Sequence, residues 1–189
     1  MKKELRKKTA ALVSTLEREY CTGADLSIRN HILNSPEYKS AKVIFCYVGT
    51  SREIDTMPLI LQAISEGKRI GVPLCKKMGI MEVREIKSRD DLVMGAYEIL
   101  APTEDAPLIE AEEIELCLVP CMTCNHNGER LGYGGGFYDR FLSRTTCPKM
   151  MLCREKVMTE NIPTEPHDLI MESVVSEAGI FDHGKLRNA

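Results

Sequence analysis

Short, strongly apolar runs alternate along the chain with longer amphipathic stretches, and their order predicts a parallel sheet wrapped by helices. Val43-Ile44-Phe45-Cys46-Tyr47-Val48 is a near-continuous apolar run, the pattern of a strand covered on both faces. A polar loop, Gly49 to Asp55, leads to Leu59, Ile60, Ala63 and Ile64 at helical spacing, with Thr56 as N-cap and Pro58 in the first turn. Gly67 closes that helix, and Arg69-Ile70-Gly71-Val72 supplies the next strand of a βαβ unit. Ile80 to Ile86 predicts another strand, paired as a hairpin across Lys76 to Gly79. Ile114 to Val119, Met150 to Cys153 and Val174-Val175 predict three more. Upstream, Leu5, Leu12, Val13, Leu16 and Tyr20 predict an amphipathic helix over residues 2–20, and Ala24 to Leu33 a second, closed by Ser35-Pro36. Ser88 to Glu113, acidic and with two prolines, reads as surface connection with short helical pieces.

This order is that of an α/β fold: a mostly parallel open sheet flanked by helices in a Rossmann-like three-layer arrangement, with a basic N-terminal helix. A length of 189 residues suits one core, so residues 1–189 are expected to form a single domain, with 184–189 as a frayed tail. At 43% apolar and 28% charged, the composition is that of a globular protein. A formal net charge of -3 offers no general attraction to nucleic acid or anionic membrane. The apolar runs are too short to span a bilayer, and no apolar core of a signal peptide follows the charged start, so a soluble cytoplasmic protein is expected.

Eight cysteines are present, and Cys46, Cys117 and Cys153 lie inside strand-like runs where a reduced thiol packs as a small hydrophobe. Cys117, Cys121 and Cys124 have the C-x3-C-x2-C spacing of some iron–sulfur sites, and Cys121 with Cys124 could also serve as zinc ligands or a redox pair. Because Cys117 alternates with Leu116 and Leu118 in a strand, free thiols are the preferred expectation.

The densest chemical signal is Gly128-Glu129-Arg130-Leu131-Gly132-Tyr133-Gly134-Gly135-Gly136-Phe137-Tyr138-Asp139-Arg140, between a strand and a helix. Such a glycine run suits backbone that turns sharply or approaches a ligand closely, and free N–H groups at a following helix favour phosphate. Arg130 adds a planar cation. No Gly-Lys-Ser/Thr follows, and Phe137 stands where a dinucleotide fingerprint needs Gly or Ala, so a phosphate or nucleotide turn of another kind competes with a plain tight turn. Lys2, Lys3 and Arg6 oppose the macrodipole of their own helix unless an anion neutralises them; otherwise they form a solvated basic face. Glu53 and Asp55 lie beyond the carboxyl end of a core strand, where ligands of parallel sheets collect. The loop Pro163 to Asp168 carries two carboxylates and His167.

Taken together, Lys2-x-x-x-Arg6, Glu53-Ile54-Asp55-Thr56, Val119-Pro120, the glycine run and Pro163 to Asp168 resemble the 5-formyltetrahydrofolate cyclo-ligase (methenyltetrahydrofolate synthetase) family, in order, over roughly Lys2 to Glu177. The resemblance implies conversion of 5-formyltetrahydrofolate and MgATP into 5,10-methenyltetrahydrofolate, ADP and phosphate. It implies an ATP site at Lys2, Lys3, Arg6 and the run Arg130, Leu131, Gly132, Tyr133, Gly134, Gly135, Gly136, Phe137 and Tyr138. Folate contacts carry over to Val48, Glu53, Tyr133, Gly134, Gly135, Gly136 and Phe137, magnesium ligands to Asp139 and Asp168, and catalytic roles to Arg130 and Tyr138. The partners implied are two small molecules, acted on by a monomer without nucleic acid or membrane. Cys121, Cys124, Asn125, Phe137 and Lys156 depart from the family's usual residues, which leaves a non-catalytic folate- or nucleotide-binding regulator as the alternative reading.

Overall fold

The computed structural model describes residues 1–95, 99–166 and 168–188. Three helices come first: α1 (Lys2–Ser14), α2 (Arg18–Asn34) and α3 (Pro36–Ser40). Next are β1 (Val43–Cys46), α4 (Met57–Ser65), β2 (Arg69–Cys75), β3 (Met81–Ile86), β4 (Leu92–Met94), β5 (Leu100–Pro102) and β6 (Leu108–Ile109). They are followed by β7 (Leu116–Val119), β8 (Thr123–Cys124), β9 (Arg130–Leu131), α5 (Phe137–Leu142) and β10 (Lys149–Leu152). The chain ends in β11 (Ser173–Ser176), β12 (Gly179–Asp182) and β13 (Lys185–Leu186).

Among the described residues one sheet has nine strands in the order β13-β12-β11-β10-β7-β1-β2-β3-β6. Its centre, from β11 to β2, is parallel throughout, as the continuous apolar runs predict. Antiparallel strands extend both edges. Strand alternation sorts the side chains into two cores. Ile44, Leu116, Leu118, Met150 and Leu152 face Ile28 and Ile32 of α2 and Leu59, Ile60 and Ala63 of α4. Val43, Phe45, Cys117, Val119 and Met151 face the opposite way, onto Phe141 and Leu142 of α5, with Val13 of α1 packed alongside. Helix, sheet, helix is thus the layering, and each fully buried aliphatic side chain contributes ~1.5–3 kcal/mol.

Several expectations change. The helix expected over residues 2–20 ends at Ser14, where the Ser14 and Thr15 hydroxyls donate back to Ala11 O and Leu12 O, and Tyr20 belongs to α2. Leu12 is exposed, and the inward side of α1 instead carries Lys2, Arg6, Thr9 and Val13, spaced so that two cations extend an otherwise packing stripe. Ser35-Pro36 closes α2 as expected but also opens α3, since Ser35 Oγ accepts from Tyr38 N at 3.2 Å. The stretch 88–113 holds the β4–β5 hairpin and the edge strand β6 in addition to helical turns.

Of the tail expected to fray, residues 185–187 are paired, and Ala189 lies outside the described residues. Arg187 N donates to Ile180 O, and the Arg187 guanidinium reaches Glu37 at 2.8 Å and Asp182 at 2.7 Å. Its hydrogen bonds hold both carboxyls below the ordinary range. A depressed carboxyl pKa stabilises the fold above the unfolded value, and that stability is lost as pH falls through the folded one. Arg187→Ala is therefore expected to cost ~1 kcal/mol at neutral pH and progressively less as pH is lowered past the ordinary carboxylate range towards pH ~2, measured by urea unfolding. An equal loss at both pH values would assign the effect to packing of the arginine stem.

Candidate active site

Because β1, β7 and β10 are parallel neighbours, their carboxyl ends open on one edge of the sheet, and the chain segments beyond them meet there. Beyond β1 the loop Gly49 to Asp55 is closed by Thr56. Its hydroxyl donates to Tyr47 O at 2.7 Å and accepts from Gly49 N at 3.0 Å, so Thr56 fastens the loop instead of capping α4 with its side chain. Asp55 Oδ1 accepts from Met57 N in its place. Glu53 is fixed within the loop, with Oε2 accepting from Thr50 N at 3.0 Å and Oε1 from the Tyr133 hydroxyl at 2.7 Å.

Two residues that sequence reasoning missed hold this loop from below. Arg154, two residues past the end of β10 and only 6% exposed, grips Asp25 of α2 through Nε and Nη2 at 2.7 and 2.9 Å. Its Nη2 also donates to Glu53 O at 2.8 Å. An arginine just past a buried strand was the available signal, but its partner on α2 has no marker in sequence.

Arg130 is carried by β9, which pairs with β8 across a turn that Asn125 organises: its Oδ1 accepts from Glu129 N, and its Nδ2 donates to Glu129 Oε2 and Glu160 O. The Arg130 side chain is 4% exposed, with Nη1 donating to Pro120 O at 3.1 Å and Nη2 to Asp139 Oδ1 at 3.0 Å. Its guanidinium carbon lies 5.8 Å from the centre of the Tyr138 ring, which in turn meets Phe45 at 6.1 Å. Burial, then the Glu53 charge, pushes the Tyr138 phenol well above its ordinary pKa, so it stays a neutral hydroxyl.

The glycine loop closes over this arginine. Gly134 and Gly136 have φ of 100° and 65°, which L side chains rarely adopt. A Cβ on Gly134 would also stand 3.3 Å from the Arg6 guanidinium, so the glycine both turns the chain and admits the cation. Arg6 Nε donates to Gly132 O at 2.8 Å. One helical turn away, Lys2 Nζ meets Asp168 and Glu165, each at 2.7 Å, and these carboxylates hold its pKa above the ordinary value.

Three cations, the glycine loop and both expected carboxylates, Asp139 and Asp168, are thus linked through direct contacts to Arg130, Arg6 or Lys2. The basic start of α1 is not wholly a solvated face, although Lys3 on its flank is exposed. Leu131 and Val48 are buried, so Leu131 can offer a ligand mainly its backbone and Val48 little of its side chain. Gly135 is exposed and Phe137 half-buried at the start of α5. That helix has only six residues, so the macrodipole it supplies is weaker than the strand–loop–helix pattern suggests. His167 lies outside the described residues.

The cysteines sort differently from their spacing. Cys117 Sγ is 3.6 Å from Cys147 Sγ, whereas Cys121, Cys124 and Cys153 have sulfurs that all lie within 4.8 Å of one another. Register explains the trio: Val119 pairs with Met151, so two residues on Cys121 and Cys153 come together. Hydrogen bonds with Cys124 and Cys153, then the Arg130 charge, draw the Cys121 thiol well below its ordinary pKa. Lys156 points elsewhere, its ammonium 4.1 Å above the Tyr20 ring.

The 5-formyltetrahydrofolate cyclo-ligase family model matches residues 1–177. The Escherichia coli K12 5-formyltetrahydrofolate cyclo-ligase is 26% identical over 184 residues, covering 94% of this chain and 99% of the relative. The Mycolicibacterium smegmatis enzyme of the same name is 30% identical over 146 residues, covering 72% of this chain and 74% of the relative. Among solved structures, the Aquifex aeolicus 5,10-methenyltetrahydrofolate synthetase superposes with a TM-score of 0.84 at 24% identity, covering 100% of this chain and 95% of that one.

Proposed function

As the chain belongs to the 5-formyltetrahydrofolate cyclo-ligase family, we propose that it converts 5-formyltetrahydrofolate and ATP into 5,10-methenyltetrahydrofolate, ADP and phosphate at the edge where β1, β7 and β10 end. The observation that carries this site is the joining of Arg130, Arg6 and Lys2 to the glycine loop and the loop ending at Asp168.

Formyl oxygen attacks the γ-phosphorus of ATP and ADP leaves, giving a phosphorylated imidate. N10 then attacks the imidate carbon; its proton and the phosphate depart, and the ring closes. An amide oxygen is a poor leaving group until phosphorylated, and phosphoryl transfer relies on positioning and charge neutralisation rather than on a protein nucleophile. Arg130 supplies positive charge beside Gly132 and Arg6 beside Gly134, and Lys2 adds a third cation from the same helix face as Arg6. Glu53, whose direction Tyr133 and the Thr50 amide fix, would accept hydrogen bonds from the pterin ring. Tyr138, between Phe45 and Arg130, would border the reacting formyl group.

The donors suit magnesium: Asp139 and Asp168 offer hard oxygens, each facing a cation that phosphate would compete for. When bound, the ion would withdraw charge from the phosphate oxygens. Asp139→Asn is expected to raise the magnesium concentration needed for half-maximal rate about tenfold. A rate defect independent of magnesium would instead give Asp139 the sole task of holding Arg130.

The same reading takes the protein as a soluble, cytoplasmic monomer acting on small molecules. Among the described residues no helix is long and apolar enough to cross a membrane. The deciding assay mixes the purified protein with 5-formyltetrahydrofolate and MgATP and follows the near-ultraviolet absorbance of the methenyl product. ATP binding without product formation would sink the enzyme reading.

A further inference from the structure

We propose that Cys121, Cys124 and Cys153 form a binding site for one thiophilic d10 cation of the zinc class, separate from the phosphate-side magnesium ligands and independent of the folate reading. Three sulfurs converge from three places in the fold: the turn after β7, strand β8 and the end of β10. All three lie within 4.8 Å of one another, and among the described residues theirs is the one group of three or more His, Cys, Asp or Glu that meets this spacing.

A tetrahedral zinc ion with Zn–S bonds of ~2.3 Å holds its sulfurs ~3.8 Å apart, so the trio needs to contract by about an ångström or less at each sulfur. Side-chain rotation supplies that much without moving the sheet. Cys124 and Cys153 are buried and Cys121 is half-buried, so of the three ligands Cys121 is the one nearest to solvent. Metal binding itself removes the thiol protons. Three thiolates and a divalent ion carry a net charge of −1. Arg130, seated on Pro120 O one residue before Cys121, supplies a neighbouring positive charge. The C-x-x-C part of the site is visible in sequence; the third ligand depends on the β7–β10 register.

The test titrates reduced, metal-free protein with Cd2+ in the absence of oxygen. The expected result is one ion per chain, seen as thiolate-to-cadmium charge-transfer absorbance and competed away by Zn2+. Alkylation followed by peptide mapping should find half-buried Cys121 reactive in the metal-free protein and protected once the ion is bound, while exposed Cys75 reacts in both states. Cys121→Ser should weaken Cd2+ binding by at least about 100-fold, more than loss of an outer-shell partner, and Cys75→Ser should leave it unchanged. The protection map needs only the unmutated protein, so a variant that folds poorly does not decide the matter. Absence of saturable binding, ion-dependent protection at Cys147 in place of Cys121, or unchanged affinity in Cys121→Ser would overturn the proposal. So would a Cys121–Cys124 disulfide, formed in air by protein that binds no ion when reduced.

Discussion

Arg130→Ala is expected to lower kcat/KM for ATP by about a thousandfold, the scale on which one arginine acts in phosphoryl transfer. The guanidinium is almost wholly buried and cannot drift, because Nη1 rests on Pro120 O and Nη2 on Asp139. A charge that is already placed costs no reorganisation when phosphate oxygens gain negative charge. Arg130→Lys keeps the charge but not the planar fork, so its loss should fall between wild type and alanine. The alanine variant will also be less stable. Breaking a buried pair costs ~3–5 kcal/mol, and less here because the Asp139 side chain is 31% exposed. Adding Asp139→Asn removes the stranded carboxylate and should recover much of the unfolding midpoint without recovering turnover. If Arg130→Ala keeps its kcat/KM for ATP within threefold, Arg130 is a structural residue and the phosphate site lies elsewhere.

Which parts of the molecule could be read in sequence follows from how local their causes are. β1 and β7 were legible because a strand buried on both faces is apolar at consecutive positions, and both pack fully into the two cores. The glycine loop was legible because positive φ at Gly134 and Gly136 excludes most other residues. The edge strands β4, β5, β6 and β13 are two or three residues long and leave no periodic trace. The break of α1 at Thr15 was hidden because Leu12, Leu16 and Tyr20 continue the helical spacing past it. Arg154 with Asp25, and Cys153 with Cys121, were hidden for a different reason. Each pair joins segments far apart in the chain, and only packing or strand register brings them together.

Glu53→Gln tests the folate side of the same edge and separates binding from chemistry. KM for 5-formyltetrahydrofolate should rise about 10- to 150-fold, as loss of a hydrogen bond to a charged group worth ~1.5–3 kcal/mol requires. KM for ATP should stay within about threefold of wild type, because among the described residues the one hydrogen bond from the glycine loop to the Glu53 carboxylate comes from Tyr133. Tyr133→Phe removes one of the two donors that orient Glu53 and leaves the Thr50 amide in place, so its effect should be smaller and in the same direction. Arg154→Met attacks the support beneath. It frees Glu53 O and strands Asp25, so folate KM and unfolding midpoint should move together, whereas Glu53→Gln should leave the midpoint within a degree or two. A Glu53→Gln variant that lost kcat with folate KM unmoved would assign the carboxylate to the reacting centre. One that lost stability as Arg154→Met does would assign it to the loop alone.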